Sequence, residues 1–214
     1  RSFFGKMLII KDPSQVKVGT TYPWGDYGKE LDQIVSGAGA VAGVNGGLYV
    51  SAGNRGGSPL GIVVQDGNIT YNSPSSLTGL YLIGLNKDNL LVIKDIDGMS
   101  AADFEKYVAE AGIRDAVAFQ EESSDANNHF VSLIINNEAR ALKGQGSGAN
   151  PRTVIGQRAE GNNPNAIYCF DVRRNGSKED GTLNVRSIEN SNKAQILRPS
   201  LYEKYADDTN LSFF

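Results

Sequence analysis

Arg152 heads the residues whose type and setting can do chemistry. It follows the run Gly144-Gln145-Gly146-Ser147-Gly148-Ala149-Asn150-Pro151 and opens the strand-like segment Arg152-Thr153-Val154-Ile155-Gly156-Gln157. A guanidinium there can hold a phosphate or carboxylate by two parallel hydrogen bonds. An exposed arginine at a strand start is the plainer alternative. Asn45 ends the apolar run Ala40–Val44 and precedes Gly46-Gly47. Its amide can donate to and accept from a sugar hydroxyl, or bond its own backbone in a turn. Glu121, Glu122 and Asp125 follow Ala116–Phe119, and Asp171 closes another apolar run, Ala166–Phe170. A partly buried carboxylate at a strand end serves as general acid or base, and glycoside hydrolysis usually needs two. A solvated acidic loop is the other reading of Glu121, Glu122 and Asp125.

The two glycine blocks, 43–67 and 144–156, each follow an apolar run. Glycine allows positive φ and close approach to the main chain. The blocks read either as two walls of one polar site or as tight turns. Gly144-x-Gly146-x-Gly148 is followed by a β-like segment, whereas a dinucleotide fingerprint needs a helix whose N-terminus meets the pyrophosphate. There is no Gly-Lys-[Ser/Thr] Walker motif either, so no nucleotide cofactor is expected. Asp66 is explained by its hairpin.

Composition bounds the rest. The 214 residues suffice for one large domain or two small ones, and 40% hydrophobic with 21% charged residues fit an ordinary globular protein. A net charge of −3 without a basic run argues against nucleic-acid binding. No apolar stretch is long enough to cross a bilayer, and Arg1-Ser2-Phe3-Phe4 has no signal-peptide pattern. A lone cysteine, Cys169, excludes an internal disulfide and Cys-based zinc sites, and reads as a buried, inert thiol. The lone histidine, His129, lacks a nucleophile motif to partner it, so no metal or triad site is expected.

The elements that must position these residues are mostly strands. Lys6–Lys11 reads as a buried strand stopped by Asp12-Pro13-Ser14, and Leu31, Ile34 and Val35 give a short helix over 28–36. Ala40–Val44 reads as a strand. Gly61–Gln65 and Asn68–Tyr71 flank Asp66-Gly67 as a hairpin, and Tyr81–Leu85 and Leu90–Ile93 form another. Ser100-Ala101-Ala102-Asp103 is close to a capping box, leading a helix with Phe104, Tyr107, Val108 and Ala111 on its apolar face, stopped by Gly112. Ala116–Phe119, the hairpin Phe130–Ile135/Ala139–Leu142, Arg152–Gln157 and Ala166–Val172 complete the strands. Short turns imply antiparallel pairing, so the expected class is α+β: a mixed or antiparallel sheet with a few flanking helices. All 25 glycines precede Thr182. The expected division is therefore a main domain at 1–181 and a C-terminal segment at 182–214, docked on it or partly disordered, with helical spacing at Leu201, Tyr202 and Tyr205.

Four segments in order, Lys6–Ser14, Gly43–Gly47, Gly61–Gly67 and Asn150–Gln157, resemble the phosphodiester glycosidase (DUF2233) family. That family includes the mammalian "uncovering enzyme", which removes N-acetylglucosamine from a phosphodiester on lysosomal-enzyme glycans. The resemblance covers about residues 5–158. It implies that Asn45, Gly46 and Gly47, with Arg152 and Thr153, line an active site hydrolysing a sugar-1-phosphate diester. Arg152 would meet the phosphate and Asn45 would orient the sugar. Glu122 and Asp171, as carboxylates at strand ends, are the candidate catalytic acids by residue type and position, and are not part of the resemblance. A carbohydrate or phosphosugar ligand and an extracytoplasmic or cell-surface bacterial setting are implied with it. The family's late Leu-Asp-Gly-Gly-Gly-Ser motif is absent after Thr182, and its Asp-Gly is altered to Asp171-Val172. A non-catalytic glycan or phosphosugar binder and an interaction module whose glycine loops are only turns stand beside the hydrolase reading.

Overall fold

The apolar run Met7–Ile10 forms the middle of a sheet, as its unbroken hydrophobicity requires. In the computed structural model the described residues are 3–44, 46–49, 56–73, 78–121, 129–130, 134–135, 138–139, 152–157, 166–174, 184–185 and 194–197. The elements run β1 (Phe3–Ile10), α1 (Leu31–Gly37), β2 (Ala42–Gly43), β3 (Gly61–Gln65), β4 (Asn68–Ser73), β5 (Leu80–Asn86), β6 (Leu91–Asp95), α2 (Ala101–Glu110) and β7 (Ile113–Glu121). They continue as β8 (His129–Phe130), β9 (Ile134–Ile135), β10 (Glu138–Ala139), β11 (Arg152–Gln157), β12 (Ile167–Arg174), β13 (Asn184–Val185) and β14 (Ala194–Leu197). Two compact units result: Arg1–Val16, Val35–Asn45 and Gly148–Phe214 make the first, and Lys17–Ile34 with Gly46–Ser147 the second.

The first unit is built on a four-stranded antiparallel sheet of order β11-β12-β1-β14. Leu8 stands opposite Cys169 on one side and Ile196 on the other. Consecutive residues Leu8 and Ile9 are both buried, so both faces of β1 are covered there. Ala166, Ile167 and Cys169 are buried as well. β14 brings part of the glycine-free C-terminal segment onto the sheet edge, and β13 pairs with β2. The helix expected around Leu201–Tyr205 lies outside the described residues.

The second unit carries a sheet of order β4-β3-β7-β5-β6, antiparallel throughout, with β8 joining β7 in parallel. Ile62, Val64, Leu80, Leu82, Ala116 and Ala118 pack with Phe104 and Val108 of α2 in one apolar cluster. Ser100 starts α2: its hydroxyl accepts from the Asp103 N–H at 3.1 Å, and its own N–H donates to the Asp103 carboxylate at 3.2 Å. Asp therefore completes the capping box in place of the usual Glu. The β3–β4 turn has φ of 47° at Asp66 and 78° at Gly67. That double positive φ fits a two-residue hairpin, whose twist matches the flanking strands.

One expected strand is shorter than its apolar run. Of Ala40–Val44, Ala42–Gly43 forms the strand, paired with Asn184–Val185. Of the expected hairpin Phe130–Ile135/Ala139–Leu142, the described residues give β8, which pairs with β7, and β9, which pairs with β10. The α+β class is as the strand and helix pattern required.

Candidate functional site

Arg152 and Thr153 open β11, and the ladder sets Arg152 opposite Val172 and Thr153 opposite Asp171. On its other side Asp171 stands opposite Lys6 of β1. One register row of the first unit thus runs Lys6, Asp171, Thr153, with Arg152 next along β11. Asn45 and Glu122 lie outside the described residues. His129 starts β8 opposite Gln120. Cys169 is a free thiol, 4% exposed, and burial pushes its pKa up to about 11, as expected of an inert side chain.

Gly46 and Gly47 belong to the second unit, where Gly47 has a packing role. A β-carbon at Gly47 would lie 2.3 Å from the Ala118 carbonyl oxygen, so only glycine fits against β7. The next residue, Leu48, donates its N–H to that carbonyl at 2.9 Å and accepts from the Leu60 N–H at 3.0 Å. The segment thereby occupies the ladder beyond the point where β3 pairs with β7.

Asp115 on β7 is the buried charged side chain among the described residues, at 3% exposure. Its carboxylate accepts from Arg114 Nε at 2.8 Å and from the Val18 N–H at 3.2 Å, and Lys17 Nζ lies 3.7 Å away. Lys17 also bonds Asp66, and Arg114 bonds Asn89. The Lys17 hydrogen bond first, and then its charge, hold the Asp66 carboxyl below the usual range. Gln65 Nε2 donates to the Val18 carbonyl at 3.0 Å. A buried carboxylate can mark a catalytic group, but here it ties the segment entering at Lys17 to the sheet. An open groove of about 640 Å³ adjoins this network, lined by Asp66, Lys87, Glu105 and Arg114 among others.

The segment held by Asp115 carries a ring cluster that the sequence reading missed. Tyr22 and Trp24 meet edge to face with centroids 5.6 Å apart, and Trp24 meets Tyr71 of β4 at 5.7 Å. Trp24 Nε1 donates to the Thr70 carbonyl at 3.3 Å. The Gly25 N–H donates to the Gly57 carbonyl at 3.1 Å, and Ser58 Oγ donates to the Gly25 carbonyl at 2.9 Å. The available signal was three aromatics in six residues, Tyr22-Pro23-Trp24-Gly25-Asp26-Tyr27, outside any periodic apolar run.

Among the described residues, no helix is long and apolar enough to cross a membrane. No three His, Cys, Asp or Glu residues gather there where they could hold a metal ion. Sheets with flanking helices define an α+β protein. Residues 88–214, more than half of the chain, match a family of unknown function (DUF6037), and the chain belongs to that family. No curated protein matches it. The match overturns the resemblance to the phosphodiester glycosidases. That resemblance rested on short segments, and two have local physical explanations: Gly47 is demanded by its contact with β7, and Asp66-Gly67 by its turn.

Proposed function

We propose that the chain recognises sugar-1-phosphodiesters and hydrolyses them to the free sugar and a phosphomonoester. The reading rests on the register row that sets Asp171 between Lys6 and Thr153, with Arg152 one residue away at the head of β11, in the alternate row. A phosphodiester carries one negative charge, which an arginine is suited to neutralise by paired hydrogen bonds. A carboxylate supplies general acid–base capacity for delivering water to the anomeric carbon as the phosphate leaves. The family match leaves this proposal to stand on those residue types and their register alone.

The test is release of free sugar from a panel of UDP-sugars and other sugar-1-phosphodiesters, with Arg152→Ala and Asp171→Asn beside the unaltered protein. Turnover that falls at least about a hundredfold in both variants, with unchanged circular dichroism, is the expected result. A folded protein that releases no sugar across the panel, or variants as active as the parent, would refute it.

A further inference from the structure

We propose that the Tyr22–Trp24–Tyr71 ring cluster is a docking surface for the ring faces of a neutral oligosaccharide. It lies wholly within the second unit and stands independently of the hydrolytic reading. Tyr22 is 63% exposed, although it sits in ring contact with Trp24. In an edge-to-face pair at 89°, at least one face of Tyr22 is left uncovered by its partner. Trp24 is held from three directions: by Tyr22, by Tyr71, and by its indole N–H on the Thr70 carbonyl. Trp24 is therefore held in place before any ligand arrives, which lowers the ordering cost of binding.

The backbone beneath the rings is equally tied. Thr21, Gly25 and Ser58 hydrogen-bond across the Gly25/Gly57 contact, and a β-carbon at Gly57 would lie 2.3 Å from the Gly25 carbonyl oxygen. Two more exposed tyrosines border the same glycine loop: Tyr27, 73% exposed, pairs with Gly56, and Tyr49 pairs with Pro59. Exposed tyrosines on segments bridged to Gly56–Pro59 need a reason, since gathered solvent-facing rings otherwise cost solubility.

Charge and chemistry choose the occupant. Residues 17–30 carry Lys17 and Lys29 against Asp26 and Glu30, so the segment is neutral, and Lys17 is engaged by Asp66 and Asp115. A neutral segment offers no phosphate-neutralising patch for nucleic acid or an anionic membrane. The exposed large apolar residues of the segment are tyrosines, with no aliphatic side chain among them. A sugar ring presents an apolar C–H face and a rim of hydroxyls, which matches rings that pair an apolar body with a polar tip.

Trp24 is the chain's single tryptophan, so its fluorescence reports on the surface directly. The unaltered protein is titrated with cellohexaose, xylohexaose and chitohexaose, none of which carries the phosphodiester of the hydrolytic reading. The expected result is a saturable emission change with at least one of them, insensitive to salt. Tyr22→Ala should weaken it about tenfold or more with an unchanged melting temperature, and Tyr22→Phe should retain it. No saturable change with any of the three sugars overturns the proposal, as does binding that Tyr22→Ala leaves intact. A response to single-stranded DNA or an apolar peptide in place of the sugars likewise overturns it. Because binding is read without turnover, its failure is distinct from failure of the hydrolase reading.

Discussion

The buried carboxylate of Asp115 ties together part of the second unit at the residue scale. Asp115 takes one bond from Arg114, one from the Val18 N–H and the charge of Lys17. Removing one partner from a buried ionic cluster leaves the others uncompensated, while the half exposure of Lys17 softens the loss. Asp115→Asn should lower stability by about 2–3 kcal/mol, seen as a reduced urea midpoint with unchanged slope. An unchanged midpoint would deny the network its role. Cys169 offers a second residue-level test. Its buried thiol should ignore a thiol reagent at pH 8 in the folded protein and react at once in urea. The raised pKa means the thiol favours folding below its ordinary value. That contribution is lost as pH climbs from about 9 through about 11, and Cys169→Ala should flatten this part of the stability–pH curve.

At the scale of elements, α2 shows local sequence and packing agreeing. The Ser100/Asp103 box satisfies the first N–H groups, and Phe104 and Val108 bury the helix in the core. Ser100→Ala should cost about 1 kcal/mol, whereas Ser100→Asp, which keeps a capping oxygen, should cost less. Equal losses in chemical denaturation would show that the cap contributes nothing beyond its side-chain volume. The segment 17–30 behaves differently. It has no regular secondary structure, yet its position is determined by side chains: Asp115 anchors one end, Trp24 docks on β4, and Gly25 meets Gly57. Periodicity cannot reveal such a segment, because its bonds reach residues some 30 to 100 positions away in the chain.

The chain passes back and forth between its units across the whole molecule. Segments 1–16, 35–45 and 148–214 must come together to make the first unit. β1 is the key piece, since it bonds β12 on one side and β14 on the other. Deleting residues 1–11 should remove the central strand, leave β14 without a partner and bare Cys169, which stands opposite Leu8. The expected outcome is rapid thiol labelling of the truncated protein under native conditions. Continued protection of Cys169 would mean that β11 and β12 hold their own core.

The sequence by itself determined the α+β class, the Asp66-Gly67 hairpin, the capped helix α2, the strand Arg152–Gln157 and the buried cysteine. Each is legible because its cause is local: a turn pair, a cap, a run of apolar residues or a lone thiol within one. Tertiary structure alone decided that Thr153 and Lys6 flank Asp171, that Gly47 is a packing glycine, and that Asp115 fastens a braced aromatic segment to the second sheet. Strand register, close backbone approach and a buried ion network join residues far apart in the chain. Their energy belongs to the pair, and neither partner's local sequence encodes it.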